Sequence, residues 1–189
     1  METRIPLNTK FSVELTRLQQ VKSVIPIGSW WEFEQWRNGK LINQWGQKNV
    51  NTNEGINHML NVVFVGATHI TTWYIGLFEN NYTPFVTDTY ASPGFTECAA
   101  YAEGLRQTFI GATSTGKVMT NTANKAVFTI NASKTLYGAF LCGGGTAPTT
   151  IGNTAGGGTL FASSLFLSSL SVVSTDSIRI LCGITLADV

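Results

Sequence analysis

The chain has 189 residues, 43% hydrophobic, 11% aromatic and only 12% charged, with a formal net charge of +1. That is enough for one domain with a real core, while the charged share is about half the usual one. Twelve cations spread singly cannot build the stripe that neutralises nucleic-acid phosphates, and no apolar run approaches a membrane span, so neither partner is expected.

Abundant Gly, Ser, Thr and aromatic residues suit an all-β protein with many turns rather than a helical bundle. Low charge also suits a surface partly occupied by neighbours. Met1-Glu2-Thr3-Arg4 opens no signal peptide, so synthesis and assembly are expected in a cytoplasm.

Residues 1–27, marked off by Pro6 and Pro26, read as an arm distinct from a single domain over residues 28–189. Phe11, Val13 and Leu15 alternate as in a strand, while Phe11, Leu15, Leu18 and Ile25 equally suit a helix; the period does not decide. With little apolar mass of its own, the arm is expected to dock on something.

A hairpin comes after the arm. Trp31-Glu32-Phe33-Glu34-Gln35-Trp36-Arg37 leads into Asn38-Gly39, the preferred pair for a type I′ turn, and Lys40-Leu41-Ile42-Asn43-Gln44-Trp45 leads away. A two-residue loop sets Arg37 opposite Lys40, Trp36 opposite Leu41 and Phe33 opposite Gln44. One face then carries Trp30, Trp36, Leu41 and Trp45 with Glu32 and Glu34; the other carries Trp31, Phe33 and Ile42. Neither is cleanly polar, so both are expected to be covered, a second chain being one candidate cover.

Asn51-Thr52-Asn53-Glu54 then supplies a cap for a helix over about residues 53–65. Ile56, Met59, Leu60, Val63 and Phe64 form one apolar stripe, and Gly66 supplies a left-handed stop.

Residues 72–78 have the β-branched and aromatic make-up of a central strand. A turn over 80–84, a long loop over 85–100 and a short strand-like piece at 105–110 come next. Residues 125–130 and 135–141 read as strands around Asn131-Ala132-Ser133. A Gly-rich loop spans 143–158, and strands at 160–167 and 178–186 close the chain. At least seven strands with one inserted helix predict a β-sandwich, jelly-roll-like in character.

The reactive residues do not assemble into a motif. Gly111-Ala112-Thr113-Ser114-Thr115-Gly116-Lys117 imitates a phosphate-binding loop, but Val118 stands where Ser or Thr must hold magnesium, and no helix start comes after it. The Gly-rich loop contains no dinucleotide fingerprint. His58 and His69 are the two histidines, too few for zinc without compatible thiolates or carboxylates. Cys98, Cys142 and Cys182 show no CxxC spacing, and the last two read as small core residues in strands. Glu32 with Glu34, and Glu97 with Glu103 around Tyr101, are carboxylate pairs of a kind common by chance among eleven acids. No enzyme, cofactor or metal is expected.

With those residues in place, the chain resembles a family of tailed-bacteriophage virion proteins. The resemblance rests on Trp31-Glu32-Phe33-Glu34 with its turn, Asn49 to Asn57, Trp73 to Phe78, and Phe95-Thr96-Glu97. Tyr101-Ala102-Glu103 with Arg106, Ala126 to Asn131, Gly138 to Leu141, Gly158 to Ala162 and the final strand complete it, from about Trp30 to Leu186. It implies a capsid decoration or cement protein that binds the major capsid protein and itself, as a trimer at a symmetry axis. The clamps would be the arm and the Trp-rich face: Phe11, Leu15, Leu18, Trp30, Trp36, Leu41 and Trp45. A neck, tail or fibre component is the second expectation. A carbohydrate-binding sandwich stacking sugars on Trp30, Trp36 or Tyr82 is the third.

Overall fold

The computed structural model describes residues 27–186. Its elements are β1 (Ile27–Arg37), β2 (Lys40–Lys48), β3 (Val50–Asn51), α1 (Asn53–Leu60), a π-helical turn (Asn61–Val65), β4 (Trp73–Phe78), β5 (Gln107–Phe109) and β6 (Val118–Thr120). A 3-10 turn (Thr122–Asn124), β7 (Ala126–Thr129), β8 (Lys134–Gly143), β9 (Thr159–Val172) and β10 (Ser177–Leu186) complete the order. Among the described residues the strands form two five-stranded antiparallel sheets, ordered β2-β1-β10-β6, with β7 also on β10, and β3-β9-β8-β4-β5. This is the predicted all-β fold with one inserted helix. The predicted arm lies outside the described residues apart from Ile27, where β1 begins.

The inward side chains of both sheets merge into one cluster. Trp31 and Phe33 of β1 and Ile178, Ile180 and Cys182 of β10 join Ile75, Leu77, Leu141, Ala162 and Phe166 of the second sheet. Phe33 and Phe166 meet edge to face across the layers, centroids 4.6 Å apart. The second sheet is covered on its outer side as well. There Phe78, Phe140, Cys142 and Leu160 pack with Tyr90 and Phe95 from the long loop after β4. Burial on both faces is why β8 reads as a continuous apolar run rather than an alternating one.

The hairpin turn has φ of 50° at Asn38 and 74° at Gly39, the left-handed pair a type I′ turn demands. Arg37 pairs with Lys40 and Trp36 with Leu41, as predicted, but a bulge then shifts the register. Phe33 pairs with Trp45 instead of Gln44, because one extra residue on β2 faces no partner. The shift corrects the predicted faces: Trp45 shares the inward face with Phe33 and stacks on it at 5.3 Å.

The strands either side of Asn131-Ala132-Ser133 both form, in different sheets. β7 pairs with β10 and β8 with β9, so this turn carries the chain from one layer to the other.

Candidate interaction surface

Helix α1 begins as the sequence predicts: the Thr52 side chain accepts a hydrogen bond from Gly55 N at 3.0 Å. Glu54 Oε2 accepts from Tyr90 N (2.8 Å) and Leu160 N (2.6 Å), tying the first turn to the loop and to β9. Gly55 lies against β9 so closely that a Cβ would stand 2.6 Å from Phe161 Cα. The helix is thus seated through its first turn. Beyond it, the apolar stripe is not covered by the sandwich: Leu60 is exposed, Val63 is 65% exposed and Phe64 79%.

The π-helical turn Asn61–Val65 adds one residue to the spiral and rotates the side chains beyond it, and Gly66 at φ 74° ends it. Val62 turns toward the sandwich, while Phe64 and the 76%-exposed Val65 point away as the crest of a ridge. An exposed Phe forgoes roughly 1.5–3 kcal/mol that burial would supply. Several such side chains side by side mark a surface built to meet something.

Between this ridge and the end of the sandwich lies an apolar groove of about 290 Å³. Met59, Val62 and Val63 form one wall, and Trp73, Phe109, Met119 and Ile184 the other. His58 meets Trp73 edge-on at 5.8 Å, and Trp73 meets Phe161 in the same way at 5.6 Å. A more polar hollow adjoins it, where His58 and His69 share the lining with Thr68, Thr71 and Tyr74. Among the described residues no three of His, Cys, Asp and Glu gather as a metal site would need, and no helix is long and apolar enough to cross a membrane.

No known family model matches the chain, and no curated protein matches its sequence.

The predicted clamp residues have separate fates. Phe11, Leu15 and Leu18 lie outside the described residues. Leu41 is exposed near the hairpin tip. Trp30 is half-buried, its indole pressed on Gly183 of β10, where a Cβ would stand 2.4 Å from the ring. Trp36 is half-buried too: Nε1 donates to Glu34 Oε2 at 2.8 Å, and the Arg179 guanidinium lies 4.5 Å from the ring centroid. Trp45 turns inward against Phe33 and Phe166. The structure therefore does not gather these four into one outward patch. Tyr82 donates to Asp88 at 2.7 Å; burial and that carboxylate push its hydroxyl up to about 12.

Of the two carboxylate pairs, Glu34, Glu97 and Glu103 are occupied within the fold. Glu97 holds Arg106 through two 2.8 Å bonds. Both oxygens of Glu103 accept from Thr129 N at 3.0 Å. Glu34 pairs with Lys125; burial alone would raise its pKa, but the bonds from Lys125 and Trp36 bring it below the ordinary value. The thiols are buried, and burial pushes Cys98 up to about 11 and Cys142 up to about 12, so both stay protonated at neutrality. The Gly111–Lys117 stretch runs into strand β6, not into a helix.

The ridge and groove are not legible in the sequence because a stripe at helical spacing looks the same whether a core or a partner covers it. One local signal exists: Val62-Val63-Phe64-Val65 is apolar all round the helix, more than a single buried face can use.

Proposed function

We propose that this chain is a non-enzymatic structural protein of a tailed-bacteriophage virion, a capsid decoration protein that binds the major capsid protein and stabilises the head. In that role it acts as a homotrimer. The observation that carries this reading is the exposed ridge of Leu60, Val63, Phe64 and Val65 on a sandwich whose Glu97 and Glu103 are engaged in holding its own loops. A cement protein needs a modest apolar contact repeated many times over a shell, so that weak individual sites add up through multivalency. The ridge supplies such a contact, in place of the Trp-rich hairpin face, where Trp30 and Trp36 are partly covered by their own sheet.

Quantitative mass spectrometry of purified particles tests the reading. One copy per major capsid subunit, or a ratio close to it, is expected. Adding Phe64→Asp, a change the fold tolerates because the side chain is in water, is expected to lower that occupancy about tenfold, the equivalent of about 1.4 kcal/mol per site. A ratio of a few per cent would move the protein to the neck or tail. Absence from particles would sink the virion reading altogether.

A further inference from the structure

We propose that the apolar groove beside α1 is the seat of the chain's own N-terminal segment, residues 11–25, docked on the same molecule. This goes beyond the virion reading and does not depend on it.

Four observations converge. First, the described chain begins at the mouth of the groove. Ile27 pairs with Leu186 on β10, and Ile184, two residues back along that strand, lines the groove wall. Two residues of strand are about 7 Å. The neighbouring strand places Met119, another wall residue, beside Ile184. From the other side, Asn51 Nδ2 donates to Ile27 O at 3.1 Å, just before the helix that forms the opposite wall. The segment preceding Ile27 therefore starts at the same end of the sandwich, about two strand residues from the Ile184 wall, and needs no long linker to fold back onto it.

Second, the chemistry matches. Lys, Arg, Asp and Glu contribute nothing to the groove lining, so water inside it would find few partners. The segment offers Phe11, Val13, Leu15, Leu18, Val21, Val24 and Ile25. Either periodicity serves, since Phe11, Val13 and Leu15 share one side of a strand and Phe11, Leu15 and Leu18 share one side of a helix.

Third, tethering favours this occupant over a free one. A segment joined next to its site meets it at an effective concentration of the order of millimolar, well above that of a separate partner in dilute solution.

Fourth, the geometry divides the apolar surface into two parts. Met59 and Val62 face the groove, whereas Phe64 and Val65 form the crest on the other side of the π-helical turn. Filling the groove leaves the crest available to a partner and widens the apolar surface beside it.

The test uses the full chain with Leu15, and in a second preparation Leu18, replaced by the photo-crosslinker p-benzoylphenylalanine. The protein is illuminated at low concentration, resolved by size under denaturing conditions, digested and mapped by mass spectrometry. The expected result is a monomer-sized product linked at Met59, Val62, Val63 or Met119. Met119→Asp in the same chains, at a half-exposed site the fold tolerates, is expected to lower the yield about tenfold with the circular dichroism spectrum unchanged. Monomer products linked only elsewhere on the sandwich, or none from either position, would overturn the proposal. So would groove crosslinks confined to a dimer-sized band, which would assign the seat to a second copy's segment.

Discussion

Glycine within a helix ordinarily costs about 1 kcal/mol relative to alanine. At Gly55 the sign reverses. An added Cβ would stand 2.6 Å from Phe161 Cα and 2.9 Å from its carbonyl oxygen, and both are strand backbone that cannot swing aside. Gly55→Ala is therefore predicted to destabilise the protein by about 1–3 kcal/mol, the cost of overpacking a tight contact, despite its better helix propensity. Urea unfolding of the two proteins reads this as a lower midpoint. An unchanged or higher midpoint would mean that α1 is not seated on β9. Sequence spacing could place Gly55 inside the capping motif but could not reveal this role, because its contact is supplied by a strand far along the chain.

At the scale of an element, β1 is closed at its end by a carboxylate from the β9–β10 turn. Asp176, fully buried, accepts from Arg37 Nε (2.7 Å) and Nη2 (2.8 Å), from Gln35 Nε2 (2.8 Å) and from Val173 N (3.1 Å). Arg37 above all holds the Asp176 carboxyl below its ordinary range, against the opposing effect of burial. A carboxylate whose pKa is depressed by folding stabilises fully above its unfolded value of about 3.9, and that contribution fades as pH falls toward the folded value. Asp176→Asn should thus cost about 2 kcal/mol near neutrality, and the deficit should narrow below about pH 4. Denaturant midpoints across a pH series decide it; a constant gap would mean that the charge contributes nothing. The same hairpin shows what sequence can and cannot carry. Asn38-Gly39 announces the turn because only such residues tolerate positive φ there, and the pairs out to Trp36 are set by it. The bulge beyond has no local marker: it sets Phe33 and Trp45 on one face against Phe166, a residue of the other sheet. The N-terminal cap of α1 and its glycine stop are legible for the same local reason as the turn, whereas the side of α1 left exposed depends on where the helix meets β9.

Across the whole molecule, Arg106 fastens the outer cover of the second sheet. Its guanidinium binds Glu97 through two bonds, donates to Pro148 O at 2.9 Å and to Tyr90 OH at 3.1 Å, and lies 5.4 Å from the centroid of the Phe140 ring. Three stretches distant in sequence, around residues 90–97, 106 and 148–153, are held through this one buried side chain. The sequence shows Glu97 and Arg106 without joining them, since nothing in their spacing says that two loops fold over the same strand. Removing one partner of a buried ion pair strands the other charge, so Arg106→Leu is predicted to cost about 3–5 kcal/mol. Glu97 would keep only the 2.6 Å bond from Gly152 N among those holding its Oε2. Arg106→Leu with Glu97→Leu removes both charges, and should lose less than Arg106→Leu alone. A second readout locates the effect. Cys142 lies 3.5 Å from Arg106 beneath this cover, so if the loops lift in the single variant its thiol should react faster with an alkylating reagent, while Cys182, in the core between the sheets, should not. A double variant no more stable than the single one, with Cys142 labelling unchanged in both, would mean that the cover is held by its apolar contacts and that Arg106 and Glu97 merely fill space beneath it.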